Sequence, residues 1–276
     1  MTVFDAIVQA IIQGLTEFLP VSSSGHLKLY QAITGQTVEE GTFLLVILHL
    51  GTLVAVCIAF WDTIWALIKE FFVMIKDIFT GKFKWKTMNP ERRMIVMLVI
   101  SLLMLVPFYF FKDKFENVSL PILGCCFLFT SIELFFASRI RNTKKTAGDI
   151  TVLDAIIIGL FQCVALFPGV SRSGSTISGG LFRGLEKETA VRYSFILGIP
   201  AILGGCLVEL KDLLEGEIEV AIVPTIIGFV VATIVGVLAI KLVKWLIKSD
   251  NFIVFSIYTL LVSIGTFAYA IFSARA

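Results

Sequence analysis

GLTEFLPVSSSG (residues 14–25) and GLFQCVALFPGVSRSG (residues 159–174) are two versions of one pattern, the second longer by four residues. In each, a Gly-Leu pair opens an apolar helix and an acid or its amide, Glu17 or Gln162, follows three residues after the glycine. A proline, Pro20 or Pro168, then leads into a serine-rich turn closed by Gly25 or Gly174. Proline cannot continue a helix, so both segments, about 2 to 30 and 151 to 180, break after roughly 17 apolar residues, too early for a clean membrane crossing. They read as re-entrant helix-loop-helix hairpins. Each is followed by three apolar runs long enough to span, at about 40 to 60, 93 to 111 and 119 to 138, and at about 190 to 209, 220 to 243 and 252 to 272. An odd number of spans per unit makes the second unit enter from the opposite face, and the two turns then meet tip to tip near the midplane. Short Gly, Ser and Pro strings also recur by chance, but the matching span counts weigh against that. The predicted fold is an all-α integral membrane protein, six transmembrane helices plus two re-entrant hairpins, arranged as an inverted-topology repeat. Residues 1–276 form a single membrane domain, with repeats 1–145 and 146–276.

Composition supports this reading independently, since 57% of the 276 residues are hydrophobic and only 16% are charged, with a mean hydropathy of +0.93. A soluble core of this size needs far more polar residues to cover it. The net charge of +2 is too small to suggest nucleic acid, and no nucleic-acid motif is present. Cys57, Cys125, Cys126, Cys163 and Cys206 lie in apolar segments without metal-ligand spacing and read as packing residues. The N-terminal stretch carries Asp5 and Glu17 and lacks a basic leader and a cleavage pattern, so it should remain in the mature protein.

Residues 62–80 mix Asp62, Lys69, Glu70, Lys76 and Asp77 with bulky apolar side chains, as a helix lying along a membrane surface would. Basic loops carrying Lys82, Lys84, Lys86, Arg92 and Arg93, then Arg139, Arg141, Lys144 and Lys145, then Lys241, Lys244 and Lys248, mark the cytoplasmic side. The mixed or acidic loops Lys112–Glu116 and Glu209–Glu219 suit the outside, which also places both termini outside.

Serine, glycine and histidine at membrane depth imply a polar cavity, because irregular backbone survives there only when buried in protein or lining water. The candidate lining is Gln13, Glu17, Ser22, Ser23, Ser24 and His26 from the first half, with Ser171, Arg172, Ser173, Ser175 and Thr176 from the second. Gln13 and Glu17, four apart, share one helix face. Ser23 and His26, three apart, are close enough for the imidazole to serve as base toward a hydroxyl if the segment is helical. In PGVSRSGST, small residues let a ligand approach the backbone and Arg172 can grip two phosphate oxygens. Ser173 or Ser175 would cap the following helix and aim free N–H groups at an anion. The phosphate-binding set is therefore Ser22, Ser24, Ser171, Ser173, Gly174 and Thr176. The bland alternative has Arg172 snorkelling or paired with a carboxylate and the serines only capping.

Taken jointly, QGLTE, PVSSSGH and PGVSRSG in this order resemble the bacterial undecaprenyl pyrophosphate phosphatases of the bacitracin-resistance type, over essentially the whole chain. The resemblance implies hydrolysis of undecaprenyl pyrophosphate to the monophosphate lipid carrier of cell-wall synthesis and hence bacitracin resistance. It implies a plasma-membrane location with a site opening to the outer face, and a divalent cation, Mg2+ or Ca2+. It also implies functional roles for Gln13, Glu17, Ser23, His26 and Arg172. Gln13 stands where many members carry Glu, although the pattern tolerates either. An amide cannot supply a second negative charge, so Glu17, with Gln13 as a weak partner and the pyrophosphate supplying most oxygens, is the expected metal site.

In the expected mechanism Arg172 holds the terminal phosphate while Ser23, deprotonated with help from His26, attacks it in line. Activation of water by His26 is an equal alternative. Among other polar residues, His49 reads as a helix-packing histidine and Gln162 as a buttress of the second hairpin. Glu133 and Asp154 read either as functional or as simply paired with loop lysines or facing water, and Arg183 and Arg192 as snorkelling. A polyprenyl-phosphate transporter or flippase is the rival, since carriers share inverted repeats and broken helices. A carrier needs no nucleophile-base pair, which favours hydrolysis; a purely structural subunit leaves the polar turns unexplained. The partners expected are an isoprenoid pyrophosphate lipid and the membrane, with no nucleic acid and a homodimer left open.

Overall fold

The computed structural model describes residues 2–35, 42–109, 118–141, 143–214 and 221–273. Apart from an isolated Lys145–Leu185 bridge, the regular structure among these residues is helical: α1 Val3–Thr16, α2 Ser23–Thr34, α3 Thr42–Ala59, α4 Trp61–Phe79, α5 Pro90–Leu103, α6 Val106–Tyr109, α7 Leu120–Ser138, α8 Val152–Val164, α9 Arg172–Phe182, α10 Lys187–Leu214, α11 Ile222–Lys248 and α12 Ile253–Ser273. Proline explains three of the breaks. Its ring clashes with the carbonyl four residues earlier and it has no N–H to donate. Helix α1 accordingly stops at Thr16 before Pro20, α8 at Val164 before Pro168, and α5 at Leu103 before Pro107.

By length and composition α7, α10, α11 and α12 can each cross a membrane, and α3 with α4 forms a fifth candidate bent by 87° at Phe60. The chain is thus a multi-pass helical membrane protein. The bend turns α4 across the axis of α3, the arrangement a surface-lying helix requires, and Arg92 ties α4 to α5 through Glu70 (2.6 Å) and Asp77 (2.8 Å). The unbroken span expected at 93–111 is corrected: α5 yields to a turn at Met104–Leu105 and then to the short α6, for the proline reason above. The loops expected outside, Lys112–Glu116 and Glu209–Glu219, lie wholly or partly outside the described residues.

Helix α1 packs on α11 and α11 on α3; α8 packs on α5, α3 on α10, and α7 on α12. Two glycines permit the closest of these approaches. A Cβ at Gly14 would sit 2.9 Å from the Ala232 carbonyl oxygen of α11, and one at Gly159 would sit 2.7 Å from the Ser101 carbonyl oxygen of α5. Real side chains do not fit such gaps. Between α7 and α12, Ser131 donates to the Ser256 carbonyl (2.7 Å) and Ser256 donates to the Ser131 carbonyl (2.8 Å). Each hydroxyl thereby satisfies its hydrogen in an apolar interface.

Near the second hairpin, Thr146 hydrogen-bonds to Asp149 and holds that exposed carboxyl below the usual carboxylate range. Asp154, fully buried at the start of α8, pairs with Lys145 (2.9 Å) and Arg183 (2.7 Å). Arg183 is therefore an ion-pair partner, and snorkelling does not describe it; Arg192 pairs with Glu188 (3.0 Å) one turn away. Asp154 meets its loop lysine, and since a buried carboxylate needs such partners, it anchors the hairpin to the loop.

Candidate active site

The turns of the two hairpins meet. Ser22 Oγ accepts from Gly25 N (3.3 Å) within its own turn and from Gly169 N (3.1 Å) of the other. A Cβ on Gly25 would lie 2.8 Å from Gly169 Cα, so the contact requires glycine at 25, while Gly169, at φ 96°, is held free of a Cβ by Cys126 at 2.7 Å. Ser22 itself stands at φ 72°, a left-handed backbone that serine rarely adopts. Such strain costs on the order of 1–3 kcal/mol and persists only where surrounding contacts over-determine it. Here two N–H groups converge on its hydroxyl.

The caps of the two returning helices match. Ser22 caps α2 by accepting from Gly25 N, and Ser171 caps α9 by accepting from Gly174 N (3.1 Å). The cap of α9 is thus Ser171, not Ser173 or Ser175, because Ser171 is the last non-helical residue and its hydroxyl reaches the third helical N–H. Thr130 of α7 pins the turn, accepting from Ser171 N (3.1 Å) and donating to the Gly169 carbonyl (3.0 Å).

At this junction Glu17, 7% exposed, gathers four groups. Ser23 Oγ donates to Glu17 Oε2 (2.7 Å) and Gln13 Nε2 donates to the same oxygen (3.0 Å). The Arg172 guanidinium pairs with Glu17 Oε1, and His49 Nε2 lies 4.0 Å from Oε2. His49 Nδ1 is 2.8 Å from the Leu45 carbonyl oxygen, so that nitrogen carries hydrogen and leaves Nε2 facing the carboxylate. A cavity of about 220 Å3 opens here, its polar wall made of Thr16, Glu17, Ser22, Ser23, Ser24, His49, Ser171 and Arg172, and its apolar wall including Ala201, Ile202 and Cys206 of α10.

The structure brings together only part of the set expected from sequence. Ser23 bonds to Glu17, whereas His26 sits with Nδ1 2.7 Å from the Ser22 carbonyl and Nε2 2.9 Å from the Tyr258 hydroxyl. The expected Ser23–His26 contact is not made, because α2 begins at Ser23 and carries the imidazole away toward Tyr258 and Phe127. Of the phosphate-binding set, Ser22, Ser24 and Ser171 reach the cavity wall. Ser173 bonds to the Leu19 carbonyl (3.3 Å), Gly174 N is taken by Ser171, and Thr176 bonds to the Arg172 carbonyl (2.8 Å) and Ser194 (2.6 Å). Ser175 donates to Glu133 (2.9 Å), on α7. Gln162 is buried and neither of its side-chain polar atoms has a partner, so it makes no buttressing hydrogen bond.

His49 is the residue that sequence reading assigned to packing. Its one signal was an imidazole inside an apolar run, which does not say what it faces. No cluster of three His, Cys, Asp or Glu side chains stands among the described residues. Gln13 Oε1 is buried without a hydrogen-bond partner, on a side chain bonded to the Glu17 carboxylate. An unused carbonyl oxygen beside one carboxylate suits a hard cation that takes its remaining ligands from water and substrate phosphate.

Fold and site together define a polytopic helical membrane protein with an acid, a hydroxyl and a guanidinium enclosed where two broken helices meet. The sequence profile described as Bacitracin resistance protein BacA matches residues 6–265, and the chain belongs to that family. It is similar to the undecaprenyl-diphosphatase of Alkaliphilus metalliredigens, 41% identical over 94% of this chain and 95% of that protein. Those of Methanosphaera stadtmanae (37%, over 96% of this chain and 97% of that one) and Bacteroides fragilis strain YCH46 (38%, over 95% and 96%) are comparably similar.

Proposed function

We propose that this protein is an undecaprenyl-diphosphatase, hydrolysing undecaprenyl pyrophosphate to undecaprenyl phosphate and inorganic phosphate. The observation that carries the reading is the Ser23–Glu17–Arg172 set in one cavity: a nucleophile on its base beside a phosphate-gripping cation. Ser23 Oγ attacks the terminal phosphorus in line. Its proton passes to Glu17, already at hydrogen-bond distance, and the bond to the lipid-phosphate oxygen breaks with its electron pair on that oxygen. Glu17 hands the proton to the departing lipid phosphate. It then takes one from the water that attacks the phosphoserine and returns it to Ser23 Oγ as inorganic phosphate leaves.

Arg172 has five N–H donors and engages Glu17 through one nitrogen, so it can bridge carboxylate and phosphate. His49 Nε2, 4.0 Å from Glu17 Oε2, adds a further polar group beside the same oxygens. His26 holds the Ser22 turn from behind, bonding the carbonyl of the strained residue. A divalent cation, Mg2+ or Ca2+, would be held by Glu17 and Gln13 Oε1 and would offset pyrophosphate charge.

The inverted repeat, 1–145 and 146–276, is supported by matched details. Gly14 meets α11 as Gly159 meets α5, and Ser22 caps α2 as Ser171 caps α9. The reciprocal Ser131–Ser256 bonds have the form of a local two-fold axis. Two residues beyond each serine, Glu133 accepts from Ser175 and Tyr258 donates to His26 Nε2, and Ser175 and His26 occupy equivalent places after the two caps. In this reading α3 with its broken partner α4, α5–α6, α7, α10, α11 and α12 are the six membrane-associated units, and both hairpins are re-entrant. With the basic loops at the cytoplasmic side of the plasma membrane, the cavity mouth faces outward in this reading, and the activity gives bacitracin resistance.

Phosphate release from an isoprenyl pyrophosphate tests the reading, measured on purified protein with and without Mg2+. Release collapses for Ser23→Ala and Arg172→Ala and falls further for His49→Ala than for His26→Ala. Well-folded wild-type protein that releases no phosphate overturns it.

A further inference from the structure

At the other end of the helices that wall the catalytic cavity lies a second, larger one of about 570 Å3. Its residues on α3 and α10, Ile58 and Val191, stand about 14 Å and 15 Å of helix rise from His49 and Ala201 of the first. Buried aromatic rings separate the two. Phe18, next to Glu17, packs on Phe195 at 5.5 Å, and Phe195 packs on Phe60 at 5.9 Å. Phe60 is itself in the wall of the second cavity.

That wall holds four cations, Lys187, Arg192, Lys244 and Lys248, against two carboxylates, Asp62 and Glu188. Lys187 pairs with Asp250 outside the wall and Arg192 pairs with Glu188. Among the described residues, Lys244 and Lys248 have no carboxylate within ion-pair distance. Lys244 is held instead by the Phe60 ring, 3.7 Å from its centroid, and by the Ala59 carbonyl at 3.4 Å. Cation–π support keeps an ammonium in place without neutralising it. Trp61, 59% exposed, and Ile58, 57% exposed, flank the opening, an indole and an aliphatic side chain where a headgroup would give way to hydrocarbon. This end of the bundle also carries the basic loops.

We propose that this cavity is a second anion site, which binds a phosphate group independently of the catalytic centre, with Lys244 and Lys248 as its contacts. The ligand presents a terminal phosphate group, either the phosphomonoester headgroup of a membrane lipid whose chain runs along Ile58 and Trp61, or free inorganic phosphate. The excess positive charge at a membrane interface supplies the attraction, and the size falls in the range of small-molecule sites. The site does not depend on hydrolysis, so its test stands apart from that of the phosphatase reading.

The full-length Arg172→Ala protein, in which the catalytic cavity has lost its phosphate grip, is placed in phosphatidylcholine nanodiscs containing phosphatidic acid. Retained phosphatidic acid is counted by native mass spectrometry. Binding persists in this background and falls roughly tenfold when Lys244→Gln and Lys248→Gln are added. Glu188→Gln, which frees Arg192, tightens it. Unchanged retention in the double lysine variant overturns the proposal; should that variant fail to fold, unchanged or weaker retention in Glu188→Gln overturns it instead. Displacement of the lipid by inorganic phosphate assigns the site to the phosphate group alone, and persistence of the lipid assigns it to a headgroup held with its chain. The lysine variants in an Arg172 background release phosphate from isoprenyl pyrophosphate as wild type does.

Discussion

Glu17 is where the two hairpins become one site, since its carboxylate receives Gln13 and Ser23 from the first hairpin and Arg172 from the second. Removing the charge while keeping the shape separates base from scaffold. Glu17→Gln is expected to lower kcat by about 10²–10⁴, and Ser23→Ala by a similar factor. The double variant should be little worse than either alone, because groups that act as a unit are not additive. Single-turnover phosphate release from the three variants checks this; additive losses would mean the two groups serve different steps. The Ser23–Glu17 pairing illustrates what residue-level reading misses. Serine, histidine and acid were all visible near the first turn, but which of them touch depends on where α2 begins. Starting at Ser23, the helix rotates His26 to Tyr258, and Tyr258 is 232 residues away in sequence.

Three helices here stop ahead of a proline, and two close approaches depend on glycine. Helix ends four residues before Pro20, Pro107 and Pro168 follow from local chemistry, so both hairpin breaks were legible. The same rule, not applied to Pro107, is why one span was expected unbroken. Gly14 and Gly159 do comparable work for α1 on α11 and α8 on α5. Gly14→Ala and Gly159→Ala are each expected to lower stability by about 1–3 kcal/mol, the cost of overpacking a close helix contact. Thermal unfolding in detergent measures it. A Gly204→Ala control should be near neutral, since a Cβ there meets nothing within 4 Å. Loss at Gly204 equal to that at Gly14 would refute the close-approach argument.

For the whole molecule, the proposed orientation makes a direct labelling prediction. In a variant with Cys57, Cys125, Cys126, Cys163 and Cys206 replaced, a cysteine at Thr34 is expected to react with an impermeant maleimide on intact cells. One at Lys84 is expected to react only after permeabilisation. The reverse pattern would put the catalytic cavity inside and reverse the face that each cavity serves. Both positions are exposed, so reactivity reports sidedness and not burial.

Hydrophobic content, span lengths and the duplicated turn are local or periodic properties. They told in advance that this is a helical membrane protein whose chain breaks at two proline turns, because a bilayer forgives no unsatisfied backbone. Which polar group Ser23 meets was beyond their reach. His49 and Arg172 approach Glu17 only through the packing of α3 and the meeting of two turns more than a hundred residues apart, and burial by distant helices decides which polar atoms remain free to react. The second cavity was hidden for the same reason: Phe60, Lys187 and Lys244 lie on separate segments, and no pattern along the chain encodes their convergence.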